Sequence, residues 1–306
     1  MISLKKRHVG IGIVAPSGYA PDPAVVDRAV ARLHAEGCRV MLFCDPTAKV
    51  ERFGASDQER VAQLHTAAKD PTIDIIIALR GGYGLSRILP LLDFAMLAQS
   101  GKLFVGQSDF TAFQMGLLAA TNAISFAGPM ICDDFGRDAP SQFTLEQFWQ
   151  CMTSDAVTFV SDHESNQSLQ VAGPLWGGNL AMLAHLIGSP YLPQIDGGIL
   201  FLEDINEHPF RIERMLLQLL HVGVLQKQKA IVFGDFSGGR VTEYDNGFDL
   251  ESVISHLRSR ITVPILTGLQ FGHGADKVTL PVGAQASITA DHAGWSLQVS
   301  GYPHLT

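Results

Sequence analysis

Short apolar segments alternate with longer amphipathic segments along the first part of the chain. The apolar segments lie at residues 9–15, 39–44, 73–79, 103–106 and 123–127. The amphipathic segments between and after them lie at residues 22–36, 56–69, 85–92 and 109–120. Residues 75–78 are continuously apolar, which is typical of a strand that is covered on both faces of its sheet. Strands that alternate with helices in this way predict a parallel, doubly wound α/β sheet.

The second part of the chain has a different pattern. It contains one clear amphipathic helix at residues 209–221, and the remaining apolar segments have the length of strands. These predicted strands lie at residues 198–203, 230–233, 277–281, 286–290 and 295–299. The stretch before them is polar and rich in turn residues. We therefore predict an N-terminal Rossmann- or flavodoxin-like α/β domain over residues 1–135, a linker over residues 136–168, and a C-terminal β-rich α+β domain over residues 169–306.

Composition and charge exclude several classes of protein. The chain has 306 residues, of which 46% are apolar and 17% are charged, so it is neither depleted in apolar residues nor extreme in charge, as disordered chains are. Thirty acidic residues against 22 basic ones give a net charge of −8, which argues against a nucleic-acid partner. The four cysteines form no C-x-x-C pair and favour a reducing compartment.

The N-terminus resembles a secretory signal only superficially. Basic residues 5–7 precede an apolar run, but that run is short, contains two glycines and alternates as a strand does. No run in the sequence approaches the roughly 18 apolar residues of a membrane span. We expect a cytoplasmic protein without a membrane partner.

Two kinds of bound group are not expected. Gly10 and Gly12 match the loose dinucleotide fingerprint G-x-G-x-x-A, but they lie inside a predicted strand, whereas that fingerprint needs its glycines where the helix begins. A metal site is not expected either, because the sequence has no H-E-x-x-H motif. We therefore predict neither a nicotinamide cofactor nor a metal.

Ser108 lies where a nucleophilic hydroxyl is commonly presented. It follows the predicted strand that ends at Gly106 and precedes a predicted helix, and the backbone N–H of Asp109 comes next. A serine on such a strand-to-helix turn is exposed at the top of the sheet, and the following N–H is available to an oxyanion. The alternative is that Ser108 or Asp109 only caps the helix.

A serine nucleophile needs a base that is oriented by an acid. His273 lies between two glycines in Gly272-His273-Gly274, and Glu203 ends a strongly apolar predicted strand. A buried acid is costly unless it is paired, so Glu203 suits the orienting role, although it could also begin a loop and face water. The glycine-rich segment at residues 80–84 follows another apolar strand, at the edge where parallel sheets bind ligands.

The sequence resembles the serine L,D-carboxypeptidases of murein recycling, the muramoyl-tetrapeptide carboxypeptidase family. The resemblance covers nearly the whole chain and is carried by segments at residues 15–18, 79–84, 106–109, 177–180, 201–204, 209–215 and 272–274. One departure is Gln107, where the family pattern leads us to expect an aromatic residue. The resemblance implies an α/β domain that carries the nucleophile, a β-rich domain that carries the acid and base, and a homodimer.

The resemblance also implies an activity and a site. The activity is release of the terminal D-alanine from murein tetrapeptide without a cofactor. The implied site consists of a catalytic triad, two backbone oxyanion donors and three substrate-binding candidates: Ser108, Glu203 and His273; Gly82 and Asp109; Arg80, Asn179 and Trp176. Arg80 and Asn179 are candidates for the substrate carboxylate and Trp176 for the pocket wall, although Arg80 could instead form a structural ion pair.

Two alternatives remain open. Related enzymes of this kind cleave peptide–nucleotide antibiotics with the same triad and confer immunity. A non-catalytic protein that binds cell-wall peptides would share the cleft.

Overall fold

The structure, a computed structural model, describes residues 9–163 and 168–306, so the basic residues 5–7 lie outside it. The strands, in chain order, are β1 (Gly10–Val14), β2 (Arg39–Leu42), β3 (Ile75–Ala78), β4 (Leu103–Gly106), β5 (Ser125–Ala127), β6 (Ala156–Ser161), β7 (Leu169–Asn179), β8 (Ile199–Ile205), β9 (Ala230–Ser237), β10 (Ile265–Leu266), β11 (Leu280–Val282), β12 (Gln285–Asp291) and β13 (Gly294–Ser300). The helices are α1 (Pro23–Ala35), α2 (Asp57–Lys69), α3 (Leu85–Ile88), α4 (Phe94–Gln99), α5 (Phe110–Thr121), α6 (Gln142–Thr153), α7 (Leu180–Leu186), α8 (Pro209–His221) and α9 (Leu250–Arg260).

The apolar segments of the N-terminal half form a largely parallel sheet in the order β11-β5-β4-β3-β1-β2. The side chains of β1, β3 and β4 are buried throughout, because helices cover both faces. Local signals fix the helix starts: the Asp22 carboxylate accepts from the N–H of Ala24 at α1, and Ser56 and Glu59 form a capping box at α2. The α/β prediction is confirmed for this half.

A second sheet follows in the order β10-β9-β8-β7-β12-β13-β6. Its strands β7 to β10 run parallel, whereas β7, β12, β13 and β6 pair antiparallel. Buried and exposed positions alternate along β12 and β13, because one face of these strands meets solvent. By contrast, β8 is buried over nearly its whole length.

The structure differs from the sequence prediction at the junction between the halves. The segment expected as a linker, residues 136–168, contains helix α6 and strand β6, and β6 pairs with β13 in the second sheet. The strand expected near residues 277–281 is β11, which pairs with β5 and so completes the first sheet. The C-terminal part of the chain therefore returns to the first sheet at β11. No helix in residues 9–163 and 168–306 is both long and apolar enough to span a membrane.

Candidate active site

Ser108 lies on a tight turn between β4 and α5, at the carboxyl edge of the first sheet. Its φ angle is +61°, in the left-handed region that non-glycine residues seldom adopt. The carbonyl of Ser108 accepts from the N–H of Thr111 at 2.9 Å, and that of Gln107 accepts from Phe110 at 3.1 Å, so the turn leads directly into the helix. This strained strand–turn–helix geometry is the one that exposes a serine nucleophile.

The glycine-rich segment after β3 lies directly against this serine. A Cβ atom on Gly81 would lie 2.7 Å from Ser108 Cβ and 2.8 Å from its Oγ, so only glycine fits there. Gly82 has a φ of +103°. Within the described residues, the backbone N–H groups of Gly82 and Asp109 donate no hydrogen bond to the protein. Both predicted oxyanion donors are therefore free to bind a ligand.

The Asp109 carboxylate fastens neighbouring loops to the serine turn. Its Oδ2 accepts from Ser17 Oγ at 2.6 Å and from the backbone N–H of Leu85 at 2.9 Å. Burial raises the pKa of Asp109, and these two hydrogen bonds oppose that rise. The sequence predicts only the oxyanion role of the Asp109 N–H; Ser17, in the segment at residues 15–18, is the signal from which this second role could have been found.

Arg60, on α2, binds the same loops. It is fully buried, and its guanidinium donates to the backbone carbonyls of Pro16 and Gly84 and to the Asp57 carboxylate. Sequence reasoning missed this residue because an arginine on an amphipathic helix normally faces solvent.

The predicted acid and base are in direct contact. His273 Nδ1 lies 2.7 Å from Glu203 Oε2, and Glu203 is fully buried. The register of β8 against β9 shifts between Leu202 and Asp204, so Glu203 lies at a bulge, a feature that redirects side chains near active sites. Burial lowers the pKa of His273, but the hydrogen bond and charge of Glu203 outweigh it and hold that pKa above its ordinary value of 6.5.

The sequence predicts that Asn179 binds substrate, but the structure shows that it positions the acid instead. Its Nδ2 donates to Glu203 Oε1 at 3.2 Å and to Asp204 Oδ1 at 3.1 Å, and its Oδ1 accepts from the N–H of Met182. Its backbone N–H donates to Thr111 Oγ1 at 3.1 Å. With its side-chain amide fully used inside the protein, Asn179 has no group left for a carboxylate.

Thr111 and Asn179 connect the helix that follows Ser108 to the acid–base pair. Thr111 lies one helical turn after Ser108, and Asn179 joins Thr111 to Glu203. Among described residues, the Ser108 hydroxyl makes no hydrogen bond, so its bond to His273 is not formed. Hydrogen bonds of this kind are often long in ligand-free sites and tighten when substrate binds.

The two remaining substrate-binding candidates differ in exposure. Arg80 is partly exposed beside the serine turn and donates to the backbone carbonyl of Tyr19 at 3.3 Å. Trp176 is 1% exposed, and its indole N–H donates to Gln228 Oε1 at 2.9 Å. Placing Trp176 at the pocket wall was therefore wrong: burial of its large ring stabilises the second sheet instead.

The glycines of the loose dinucleotide fingerprint have a packing role. A Cβ atom on Gly10 would lie 1.8 Å from the backbone oxygen of Thr72, and Gly12 packs against Phe43. No helix begins at either glycine, so they offer a pyrophosphate no cradle. The described residues also contain no group of three or more His, Cys, Asp or Glu side chains arranged to hold a metal ion.

Comparison with known proteins matches the chain to two family models. The LD-carboxypeptidase N-terminal domain matches residues 11–128, and the LD-carboxypeptidase C-terminal domain matches residues 172–288. The probable murein peptide carboxypeptidase of Bacillus subtilis is 30% identical over 281 residues, which cover 91% of this chain and 88% of that protein. The microcin C7 self-immunity protein of Escherichia coli is 28% identical over 275 residues, which cover 78% of each.

A solved structure is similar to this chain in both sequence and fold. The crystal structure of muramoyltetrapeptide carboxypeptidase from Oxalobacter formigenes has a TM-score of 0.92 and 50% sequence identity, covering 96% of this chain and 100% of that one. A complex of the microcin self-immunity protein with glutamyl sulfamoyl guanosine has a TM-score of 0.87 at 24% identity, which indicates a shared fold.

Proposed function

The chain belongs to the LD-carboxypeptidase family, and we propose that it is a serine carboxypeptidase that releases the terminal D-alanine from murein tetrapeptide. The observation that carries the serine mechanism is the 2.7 Å hydrogen bond between Glu203 and His273. Asn179 connects Glu203 to Thr111, on the helix that follows Ser108. The 50% identity to a muramoyltetrapeptide carboxypeptidase supports the choice of substrate.

In the first step, the Ser108 hydroxyl attacks the carbonyl carbon of the scissile amide. His273 Nε2 accepts the hydroxyl proton, while Glu203 accepts a hydrogen bond from the Nδ1–H, without taking that proton, and stabilises the imidazolium that forms. The N–H groups of Gly82 and Asp109 donate to the developing oxyanion. Each such donor contributes about 3 kcal/mol to transition-state stabilisation in comparable sites.

In the second step, the protonated His273 gives its proton to the amine of the departing alanine as the carbon–nitrogen bond breaks. This leaves an ester between Ser108 and the shortened peptide. Water then attacks that ester with His273 again acting as base, and Ser108 is regenerated. Asn179 and the bulge in β8 hold Glu203, and the hydrogen bond to Glu203 keeps the proton on Nδ1, so that Nε2 is the nitrogen that accepts the hydroxyl proton.

A carboxypeptidase also has to recognise the free carboxylate of its substrate. Arg80 is the predicted residue that retains this capacity, because it lies next to Gly81 and its guanidinium makes one hydrogen bond to a backbone oxygen within the described residues. Arginine binds carboxylates in a bidentate manner with two parallel N–H donors. We assign the carboxylate of the departing D-alanine to Arg80.

The test is release of free D-alanine from purified murein tetrapeptide. Wild-type protein is expected to release it with or without a chelator, and Ser108→Ala is expected to lose the activity by more than about a thousandfold. Persistent release by Ser108→Ala, or its abolition by a chelator, would contradict the serine mechanism.

Two other outcomes would favour the alternatives. Cleavage of an aminoacyl sulfamoyl nucleotide in place of the tetrapeptide would indicate an immunity peptidase, a function suggested by the relative from Escherichia coli. Binding of the tetrapeptide with no cleavage at any pH would indicate a binding protein that has kept the cleft.

A further inference from the structure

A second charged side chain lies beside Arg80, and no part of the mechanism above uses it. The backbone N–H of Cys132 donates to the carbonyl of Leu79 at 2.9 Å. This bond fastens the single π-helical turn Ile131–Phe135 to the end of β3. The residues that follow the bonded pair are Asp133 and Arg80, so both emerge at the same edge of the sheet, close to the serine turn.

The Asp133 carboxylate is partly buried and unpaired. Among the described residues it takes part in no hydrogen bond and no ion pair. Its neighbour Asp134 shows the contrast, since its carboxylate accepts from Lys277 Nζ at 2.7 Å and from the N–H of Met130 at 2.8 Å. Burial of an unpaired carboxylate is costly, which makes a cationic partner favourable.

The charges that act on Asp133 include those of two active-site residues. Burial and the charge of Asp134 raise the pKa of Asp133, whereas the positive charges of Arg80, Lys277 and His273 act to lower it. Asp133 is thus close enough to both Arg80 and the catalytic imidazole to interact electrostatically with each. Yet neither cation forms an ion pair with it, so the carboxylate stays available to a ligand.

Arg80 shows the complementary feature. Its Nε atom is buried and has no hydrogen-bond partner in the part of the chain that the structure describes. Two opposite charges therefore lie at the same edge of the sheet, where each acts on the other, and each is incompletely satisfied and not bonded to the other. A ligand that carries both a carboxylate and an ammonium group would satisfy both.

We propose that Asp133 is a specificity-determining residue that binds a free ammonium group on the amino acid preceding the scissile bond, while Arg80 binds the terminal carboxylate. The chemical class of substrate is a peptide whose penultimate residue is a diamino acid with an unblocked side-chain amine. This inference rests on the proposed carboxypeptidase function and adds the residue that would recognise the amine.

The test separates binding from cleavage by using Ser108→Ala and two matched peptides. One is L-alanyl-γ-D-glutamyl-L-lysyl-D-alanine, and the other has 6-hydroxynorleucine in place of lysine, so that a hydroxyl replaces the amine. Calorimetric titration of Ser108→Ala is expected to give at least about tenfold tighter binding of the lysine peptide, the strength of one hydrogen bond between charged groups. Adding Asp133→Asn should remove this difference and leave the affinity for the hydroxyl peptide unchanged.

Asp138→Asn is the matched control, because Asp138 lies on the same segment but is exposed and paired with Arg28. This variant should keep the tenfold preference. Equal affinities in Ser108→Ala, an equal loss for both peptides in Asp133→Asn, or no binding of either peptide would each overturn the proposal. Tight, Asp133-dependent binding without D-alanine release by the wild type would instead overturn the proposed function and leave the role of Asp133 standing.

Discussion

Glu203 sets the proton affinity of the imidazole beside it. The pKa of His273 is raised above 6.5, and the base must be neutral to accept the Ser108 proton. Activity should therefore be lost as the pH falls through this raised value. We predict that kcat/KM of the wild type has an acidic limb with its midpoint above 6.5. We expect Glu203→Gln to shift that limb to lower pH, because the charge that stabilises the imidazolium is removed.

The pH profile of kcat/KM for D-alanine release measures this shift separately from the fall in activity. As a control, Glu251→Gln removes an exposed acid that pairs with Arg258, and it should leave the midpoint in place. An unchanged midpoint in Glu203→Gln would mean that Glu203 does not control the charge of His273.

Single residues were predictable where the local sequence carries their chemistry. Ser108 could be recognised from its place between a predicted strand and a predicted helix, His273 from its flanking glycines, and Glu203 from its place at the end of an apolar strand. Asn179 and Asp133 owe their roles to segments that meet only in the folded chain, which no local pattern encodes. The prediction for Trp176 failed for a related reason, since a tryptophan next to glycines can face either a pocket or the interior.

The contact between α5 and β7 joins the nucleophile to its partners. Gly178 permits it: a Cβ atom there would lie 2.6 Å from Thr111 Oγ1, and its φ of +139° suits only glycine. We predict that Thr111→Val, which keeps the shape but removes the hydroxyl, lowers kcat by about tenfold. It would leave the buried N–H of Asn179 unpaired, at a cost of about 1–3 kcal/mol in the free energy of unfolding.

Steady-state kinetics and urea unfolding test both parts of this prediction. Thr121→Val is the control on the same helix, because its hydroxyl donates to the carbonyl of Leu117 and accepts from the N–H of Ala123, and neither residue belongs to the acid–base pair or to β7. It should leave kcat unchanged. If Thr111→Val also left kcat unchanged, Asn179 would not be transmitting the position of α5 to Glu203.

Elements were predicted well where periodicity and caps agree. Helix α8 begins and ends at the predicted residues, and β4 has the predicted bounds. Strand β7 was missed because it contains glycines that read as turns. One of them, Gly173, is required because a Cβ atom would lie 2.1 Å from the backbone oxygen of Gly197. The glycines of β7 allow close packing against neighbouring strands, and the local sequence does not reveal such a tertiary cause.

At the scale of the whole molecule, the family resemblance and the α/β fold class are confirmed by the matched models and the similar structure. The places of β6 in the second sheet and of β11 in the first were not predictable, because short strands reveal their partners only through pairing. The domain boundaries, the homodimer and the cytoplasmic location stay predictions.

A buried ion pair joins the N-terminal and C-terminal halves of the chain. Lys277 Nζ lies 2.7 Å from Asp134 Oδ1, and both side chains are almost fully buried. Because removing one partner strands the other charge in the interior, we predict that Asp134→Asn lowers the free energy of unfolding by about 3–5 kcal/mol, measured in guanidinium chloride. Lys277→Met added to Asp134→Asn should recover much of this loss, since no buried charge is then left unpaired.

Asp196→Asn is the control, because it breaks the exposed pair with Lys227, and it should lower the free energy of unfolding by under about 1 kcal/mol. A similarly small cost for Asp134→Asn would show that water reaches Lys277 and that the halves are less firmly joined than this contact implies.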